Sequence, residues 1–397
     1  MLSQPLAQEI ARETSEIIGF NVVVTDQDGI IIGSGDPTRV GTFHEASMDV
    51  IRTLAPATHG AEQAGRLTGV KPGVTLPLLL DGDVMGTVGI TGAPRTVRRF
   101  GLMVRRQTEI LLREAQVLRS QMVREKAVAD LLRDLVHYDP DVVEAEVLVT
   151  AARELGFDLT STRVAAVVEA EQPSDCPHSE VVRLLRTVFR DSQDVVGATG
   201  HARFVVLHRI PRNTPAQDTA AAALDLGARA RKALHAHYGV DARIGIGDPA
   251  SSVAGIHESC QGALTAVRLG SGLPSRVTAR LHQGPDGRVH HISHFRLYEL
   301  LSAAGHRARD TLLATVAGPL RRQDDWPALR ETLIAWCETG FRLVQAAEAL
   351  RIHRNTLVYR LEKIARITGR PTRHHQYYLA LYLACLIDEM APPADQG

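Results

Sequence analysis

The chain has 397 residues, too many for one hydrophobic core, so two to four domains are expected. Its 45 Lys and Arg balance 45 Asp and Glu, and nucleic-acid binding would therefore need a local basic patch. Four scattered cysteines argue against a disulfide framework, and the N-terminus has no signal-peptide pattern. Because no apolar run approaches the ~20 residues of a membrane span, a cytoplasmic protein without a membrane partner is expected.

Residues 1–97 alternate helical and strand patterns in the manner of a small PAS-like α/β sensor domain. Each of two predicted hairpins has a turn signal, at Asp28-Gly29 and Asp81-Gly82. The predicted elements are a helix over 2–18, strands over 21–25 and 29–33, a helix over 43–54, and strands over 74–80 and 84–91.

Residues 98–140 predict a long linking helix. Apolar pairs at 103/104, 110/111 and 117/118 recur every seven residues, after which the stripe slips and resumes at Val128. Such a repeat is typical of a dimer-forming signalling helix, which would make the protein a homodimer or higher homo-oligomer. A helix that packs only on its own sensor domain would show the same stripe, and the residues do not decide between the two.

Strand and helix patterns alternate over 141–275 and predict an α/β layer domain. Residues 273–290, rich in Gly, Pro and Arg, predict a linker, and residues 290–390 predict an all-helical domain. The fold class is thus multidomain α+β. The predicted elements of the middle domain are strands over 163–168, 195–199, 203–210 and 242–247, and helices over 180–189, 216–237 and 252–269.

The segment 341–369 predicts a helix-turn-helix. A short helix with apolar residues at 346, 347 and 350 is followed by a break at 351–353. The second helix carries an apolar stripe at Leu357, Leu361 and Ile364, spaced i, i+4, i+7. Its opposite face is the one that a recognition helix presents to the major groove of double-stranded DNA.

Residues 351–375 hold seven Arg or Lys and a single acid, Glu362, a balance that suits a phosphate backbone. Asn and Arg side chains can each form two hydrogen bonds to a base edge. The candidate DNA-binding residues are Arg354, Asn355 and Thr356 for bases or nearby phosphates, Tyr359 and Arg366 on the outward face, and Arg360 and Lys363 for phosphates. A solvated basic helix in an ordinary bundle is the alternative.

The sequence HRNTLVYRLEKI, followed by Thr368-Gly369, closely resembles the C-terminal helix-turn-helix of PucR/CdaR regulators. The segments GTFHEA (41–46), GVKPGVTLPL (69–78) and GTVGITG (86–92) resemble the sugar-diacid recognition domain of carbohydrate diacid regulators. The resemblance implies a degenerate GGDEF-like middle domain. It also implies a transcriptional activator of galactarate, glucarate or glycerate utilisation genes, with a hydroxy-acid effector. One departure is Leu343-Val344, where the family often has a capping Ser or Thr.

A polyhydroxy carboxylate needs positive charge and hydrogen-bond donors. Gly41 and Thr42 precede the predicted helix at 43–54, and the amides at a helix N-terminus suit an anion. Turn geometry explains the glycines as well, helix packing explains His44, and Arg39 and Lys71 fit ordinary surface charges. The candidate effector-binding residues are Arg39, Thr42, His44, Lys71, Gly73, Thr91 and Gly92.

A signalling enzyme acting through the middle domain, a nucleotide cyclase or metal-dependent hydrolase, is the alternative function. The hairpin turn at 198–202 carries no carboxylate, and only Glu169 and Glu171 are close to it for a metal. His290 and His294 have i, i+4 spacing, but Ser293 is a predicted helix N-cap, so the pair straddles a helix start. No enzymatic activity, metal or cofactor is therefore expected.

Overall fold

The computed structural model describes residues 2–171, 176–281 and 286–390. The chain forms two compact units, Met1–Arg124 and Glu125–Gly397. A single long helix, Pro94–Val136, includes the boundary between them. In the described part of the chain, no helix is long and apolar enough to cross a membrane.

The first unit is built on a five-stranded antiparallel sheet in the order β2-β1-β5-β4-β3. Its elements are helix α1 (Gln4–Ile18), strands β1 (Val22–Thr25) and β2 (Ile31–Ser34), helix α2 (Glu45–Thr53), strand β3 (Ala57–His59), helix α3 (Ala61–Ala64), strands β4 (Gly73–Leu80) and β5 (Asp83–Thr91), and the first part of helix α4 (Pro94–Val136). Both predicted hairpins are confirmed. At the second turn, Asp81 and Gly82 have φ values of 53° and 97°, the conformation that such a two-residue turn requires. Strand β3 was not predicted, because three residues are too few to show a period.

Helix α4 contributes to two hydrophobic cores with different parts of its length. Val97, Val104 and Leu112 are buried with β4 and β5 in the core of the first unit. Val128 and Leu132 are buried in a core of the second unit. Packing on its own sensor domain, one of the two predicted roles, is therefore confirmed for one face of the helix.

The second unit begins with a mixed sheet in the order β10-β9-β6-β8-β7. Along the central strand, Val164 and Val168 face a core closed by α6 and α7, while Ala165 and Val167 face a core closed by α4, α5 and α8. The elements are helix α5 (Ala145–Glu154), strand β6 (Arg163–Glu171), helix α6 (His178–Val188), strands β7 (Val195–Ala198) and β8 (Arg203–Arg209), helix α7 (Ala216–Tyr238), strand β9 (Asp241–Ile246) and helix α8 (Val253–Gly272).

The predicted linker at 273–290 is wrong in its described part. It contains helix α9 (Ser275–Leu281) and the first residues of strand β10 (Val289–His291). Strand β10 pairs in parallel with Ile244–Ile246 of β9, so the middle sheet extends beyond the predicted limit of residue 275. The composition suggested a loop, but Val289 is fully buried, and a three-residue edge strand gives no pattern of its own.

The last part of the second unit is all helical, as predicted. Its core includes the apolar stripe of the second helix of the motif. The elements are helices α10 (Arg296–Ala303) and α11 (His306–Leu312), a π-helical turn (Leu313–Ala317), and helices α12 (Gly318–Arg321), α13 (Trp326–Glu338), α14 (Leu343–Ala349), α15 (Arg354–Thr368) and α16 (His375–Met390).

A buried ion cluster joins α9 to this helical bundle. Arg280 donates to Glu389 at 2.9 Å and to the Tyr298 hydroxyl at 2.8 Å, and its Nε lies 3.3 Å from a Glu338 oxygen. The Glu389 side chain is 1% exposed, and Arg280 compensates its charge. Helix α9 is therefore part of the helical domain, with Val277 buried in its core, whereas β10 belongs to the middle sheet.

Candidate nucleic-acid interface and effector site

The predicted helix-turn-helix is confirmed as two short helices joined by a tight turn. Helix α14 ends at Ala349, Arg351 adopts φ 53°, and α15 begins at Arg354. The turn is closed by the Ile352 amide, which donates to the Ala347 carbonyl at 3.0 Å. The stripe of Leu357, Leu361 and Ile364 is at most 3% exposed and fixes which face of α15 points outward.

The N-terminus of α15 has its own cap. The Nδ1 atom of His353 accepts a hydrogen bond from the Asn355 amide at 3.2 Å. This satisfies one of the amides that a helix start leaves without an intrahelical partner. Helix α14 begins after Arg342 without a side-chain cap, which agrees with the missing Ser or Thr in the sequence.

Five of the seven predicted DNA-binding residues lie on the outward face. Each of them is exposed, and Tyr359 is 61% exposed although it is a large aromatic side chain. They are Arg354, Asn355, Thr356, Tyr359 and Arg366.

The remaining two predicted DNA-binding residues are half-buried against α13 or the residue before it. The Nη1 atom of Arg360 donates to the Thr332 hydroxyl at 3.3 Å. The Nζ atom of Lys363 lies 2.8 and 2.7 Å from the two carboxylate oxygens of Asp325, and this hydrogen bond holds the pKa of Asp325 below its usual value. Both cations thus have partners inside the protein, and their phosphate contacts stay a prediction.

Arg39, a predicted effector-binding residue for which a surface charge was the alternative, is buried in the first unit at 7% exposure. Its Nη2 donates to the Gly69 carbonyl at 2.6 Å and its Nη1 to the Thr91 hydroxyl at 3.5 Å. Burial lowers the pKa of Arg39, and the charge of Asp36 partly offsets that effect. Among the described residues, no carboxylate lies within ion-pair distance of its guanidinium.

A row of buried hydroxyls ends at His44, close enough to Arg39 to be affected by its charge. Thr25 and Thr87 are 2.9 Å apart through their Oγ1 atoms, Thr87 lies 2.8 Å from the Ser47 hydroxyl, and Ser47 lies 2.7 Å from Nδ1 of His44. Burial first, then the charges of Arg39 and His59, lower the pKa of His44 to about 4. The imidazole is therefore neutral at pH 7.

The three hydroxyl residues were missed in the sequence. Thr25 and Thr87 face each other across the β1–β5 pair, and Ser47 lies on α2. In the sequence they read as ordinary strand and helix residues. The only signal was that polar side chains occupy positions flanked by apolar ones, which is too weak to locate a site.

Several of the predicted effector-binding residues have hydrogen-bond partners within the first unit. Helix α2 begins at Glu45, and the amides of Gly41 and Thr42 donate to the carbonyls of Ile31 and Arg39. Effector binding by Thr42 stays a prediction. The Gly92 amide is also occupied, since it donates to the Pro72 carbonyl at 2.8 Å.

Two further predicted effector-binding residues, Gly73 and Lys71, have contacts within the first unit that account for them. A Cβ on Gly73 would come within 2.1 Å of the Ile90 carbonyl, so this glycine is needed for close strand contact. Lys71 is exposed and pairs with Asp36 at 3.3 Å. The fold brings Arg39 near Thr91, Thr42 and His44, and Gly73 lies opposite Thr91 in the β4–β5 pair.

The acids near the middle-domain hairpin are already paired. Arg203 donates to Glu169 at 3.0 and 2.7 Å, and Arg288 lies 3.1 Å from Glu171. His290 is in β10 and His294 is in a 3-10 turn, so the pair does straddle a helix start. Within the described ranges, no group of three His, Cys, Asp or Glu side chains is placed to hold a metal ion.

Three family models match successive parts of the chain. Residues 2–135 match the model for sugar diacid recognition, residues 140–269 match the GGDEF-like domain, and residues 329–387 match the PucR C-terminal helix-turn-helix domain. The first match covers the first unit and runs into the second, and the other two matches lie within the second unit.

Two curated relatives are similar to nearly the whole chain. The chain is 28% identical over 395 residues to the carbohydrate diacid regulator of Escherichia coli (strain K12), covering 98% of each chain. It is 26% identical over 388 residues to the uncharacterised protein YsfB of Bacillus subtilis (strain 168), covering 97% of this chain and 98% of that one. A solved regulator of polyketide synthase expression from Bifidobacterium adolescentis is 17% identical, covers 67% of this chain and 98% of its own, and has a TM-score of 0.30.

Proposed function

The chain belongs to the carbohydrate diacid regulator and PucR type of DNA-binding transcription regulators, and from this premise we propose what its two sites bind. The α15 face reads the major groove of an operator, and the first unit, a PAS-like sensor, binds a hydroxy-acid of the glycerate, glucarate or galactarate class. The protein acts in the cytoplasm as a homodimeric activator of genes for using that acid, and has no enzymatic activity. The observation that carries this proposal is the exposed polar and basic face of α15, which stands on a buried apolar stripe.

On that face, the residues of the first turn are the best placed for base edges. Arg354, Asn355 and Thr356 are all exposed at the N-terminus of α15, the end of a recognition helix that lies deepest in the groove. Tyr359 and Arg366 follow on the same side and reach the sugar-phosphate backbone. Lys363 would have to leave Asp325 before it could bind a phosphate, so we assign it a smaller share of the affinity.

Replacing Arg354 or Asn355 by Ala is expected to weaken operator binding by about 1–3 kcal/mol, roughly 5- to 150-fold. The measurement is a gel-shift titration against the gene's own upstream region at fixed salt. The matched control is Arg307→Ala, which removes an exposed arginine on α11 and should leave the affinity nearly unchanged. If both α15 variants bind like the control, the proposed interface is wrong.

For the effector, Arg39 is the central residue of the proposed site. Its guanidinium is buried, and among the described residues no carboxylate lies within ion-pair distance of it. Such a group favours an incoming carboxylate, which can accept two hydrogen bonds from it. Thr91 and the neutral His44 supply neighbouring polar groups for the hydroxyls of such an acid.

A cavity elsewhere in the first unit fits the proposed ligand less well. Its volume is about 600 Å³, and it is lined by apolar side chains such as Leu6 and Met85 together with Asp81, Asp83 and Arg119. The two carboxylates outnumber the one arginine, and this charge disfavours a dicarboxylate there. We therefore place the acid near Arg39.

Glycerate, glucarate or galactarate is expected to raise the melting temperature of the protein in a concentration-dependent way. Arg39→Gln removes a charge-assisted contact worth about 1.5–3 kcal/mol, so the same shift should need roughly 10- to 100-fold more ligand. Arg52→Gln removes an exposed arginine of the same unit and serves as the control. Equal shifts in Arg39→Gln and the wild type would place the effector elsewhere. An allantoin-type compound in the same screen tests a ligand that is not a hydroxy-acid.

A further inference from the structure

Helix α4 carries a second apolar line on the face opposite its own domain. Val97, Val104 and Leu112 point into the core of the first unit. On the outer side, Met103 and Val117 are 56% and 52% exposed, and Ile110, midway between them, is 41% exposed. Because the inner stripe already fills the contact with the sensor core, this outer line is not covered by the chain's own fold.

The spacing of the outer line indicates what kind of surface fits it. Met103, Ile110 and Val117 are seven residues apart. On a straight helix such a series drifts by about 20° per step, and it stays in register only along a partner helix that supercoils with it. The complementary surface is therefore another long helix rather than a sheet or a small ligand.

The two flanks of the line carry different charges, and all six flanking side chains are exposed. In a two-fold parallel helix pair, each flank faces the opposite flank of the partner, whereas in an antiparallel pair like flanks meet. Parallel pairing sets arginines against glutamine and glutamate, while antiparallel pairing sets arginine against arginine. One flank consists of Arg99, Arg106 and Arg113, and the other consists of Gln107, Glu114 and Gln121.

We propose that the Met103–Ile110–Val117 face binds the same face of a second copy of this chain, with the two α4 helices parallel. This rests on the proposed homodimeric regulator and names its interface. A parallel pair places the two copies of the first unit at the same end of the paired helices, and each copy contributes the same residues to the interface, as an isologous contact requires.

Cysteine cross-linking tests both the face and the direction of the helices. In a parallel pair, residue 110 lies opposite residue 110 of the second copy, and residue 117 lies opposite residue 117. Ile110→Cys and Val117→Cys should therefore each form disulfide-linked dimers. Air oxygen with copper phenanthroline is the oxidant, and it removes two electrons and two protons for each disulfide. The two sites are about 10 Å apart along the helix, so an antiparallel pair cannot join both. Arg119→Cys, exposed on another side of α4, should remain largely unlinked, and the wild type measures the background from its native thiols.

Sedimentation gives a second readout that does not depend on disulfide chemistry. Ile110→Glu should shift a micromolar sample from dimer to monomer with an unchanged circular dichroism spectrum, while Leu300→Glu, at a more exposed apolar site on α10, should stay dimeric. The proposed interface would be overturned by any of three results: a wild-type protein that is monomeric, an Ile110→Glu protein that is still dimeric, or a dimer that does not cross-link at 110 and 117. A dimer that cross-links but binds no operator would instead contradict the proposed function alone.

Discussion

Arg280→Met is expected to destabilise the helical domain by about 3–5 kcal/mol, because the change removes a cation that compensates the buried charge of Glu389. Burial by itself would lower the pKa of Arg280, but the hydrogen bond to Glu389 and the charges of Tyr298, Glu338 and Glu389 raise it, so the arginine stays charged. Burial also raises the pKa of Glu338, and the charge of Arg280 opposes this. Removing the arginine therefore leaves two carboxylates to share one half-buried space.

Urea unfolding followed by tryptophan fluorescence measures this effect in the right part of the molecule. The chain has only two tryptophans, Trp326 and Trp336, and both lie in the core of the helical domain. Arg280→Lys keeps the charge but loses the planar fork, so it should recover part of the loss. Arg307→Met, at an exposed position, is the control, and a midpoint for Arg280→Met equal to that of this control would contradict the cluster's role.

The stability of the sensor domain is expected to fall as the pH falls from about 6.5 to 4, and His44 is the cause. Its pKa is about 4 in the folded chain and 6.5 when exposed, so between these values the unfolded state binds the proton more readily. The contribution is fully present above pH 6.5 and is lost towards pH 4. At ~1.4 kcal/mol per pKa unit, the loss reaches about 3 kcal/mol from this group.

Hydrogen exchange of the β1 and β5 amides across that pH range measures the loss locally, after correction for the intrinsic pH dependence of exchange. His44→Asn cannot titrate but keeps a short polar side chain near Ser47, so its protection should change less between pH 6.5 and pH 4. His137→Gln, at an exposed position, should behave like the wild type. A wild-type profile as flat as that of His44→Asn would show that His44 is not buried in its neutral form.

We expect any coupling between the two proposed sites to involve α4 and α9. Helix α4 belongs to the cores of both units, and Val277 of α9 belongs to the core of the domain that holds α15. An effector changes DNA binding only if it has different affinities for two conformations of these elements. Operator affinity measured with and without a hit from the melting screen gives that difference directly.

The sequence by itself determined the elements whose signals are local. The stripe of Leu357, Leu361 and Ile364 and the break at 351–353 specify the helix-turn-helix within 20 residues, and the Asp81-Gly82 turn specifies its hairpin. Such patterns repeat within one element and need no partner to be read. The same stripe predicted that five α15 residues are exposed, because a buried stripe determines which face of a helix points outward.

Only the tertiary structure decided the contacts between distant segments. The Thr25–Thr87 and Ser47–Thr87 pairs join residues 62 and 40 positions apart, and Arg280 reaches Glu389 across 109 positions. Strand β10 is defined by its pairing with β9. The burial of Arg39 results from the segments around Gly69 and Thr91 that pack against it. A single polar residue carries no period, so whether it is exposed, paired or buried depends on which remote backbone packs against it.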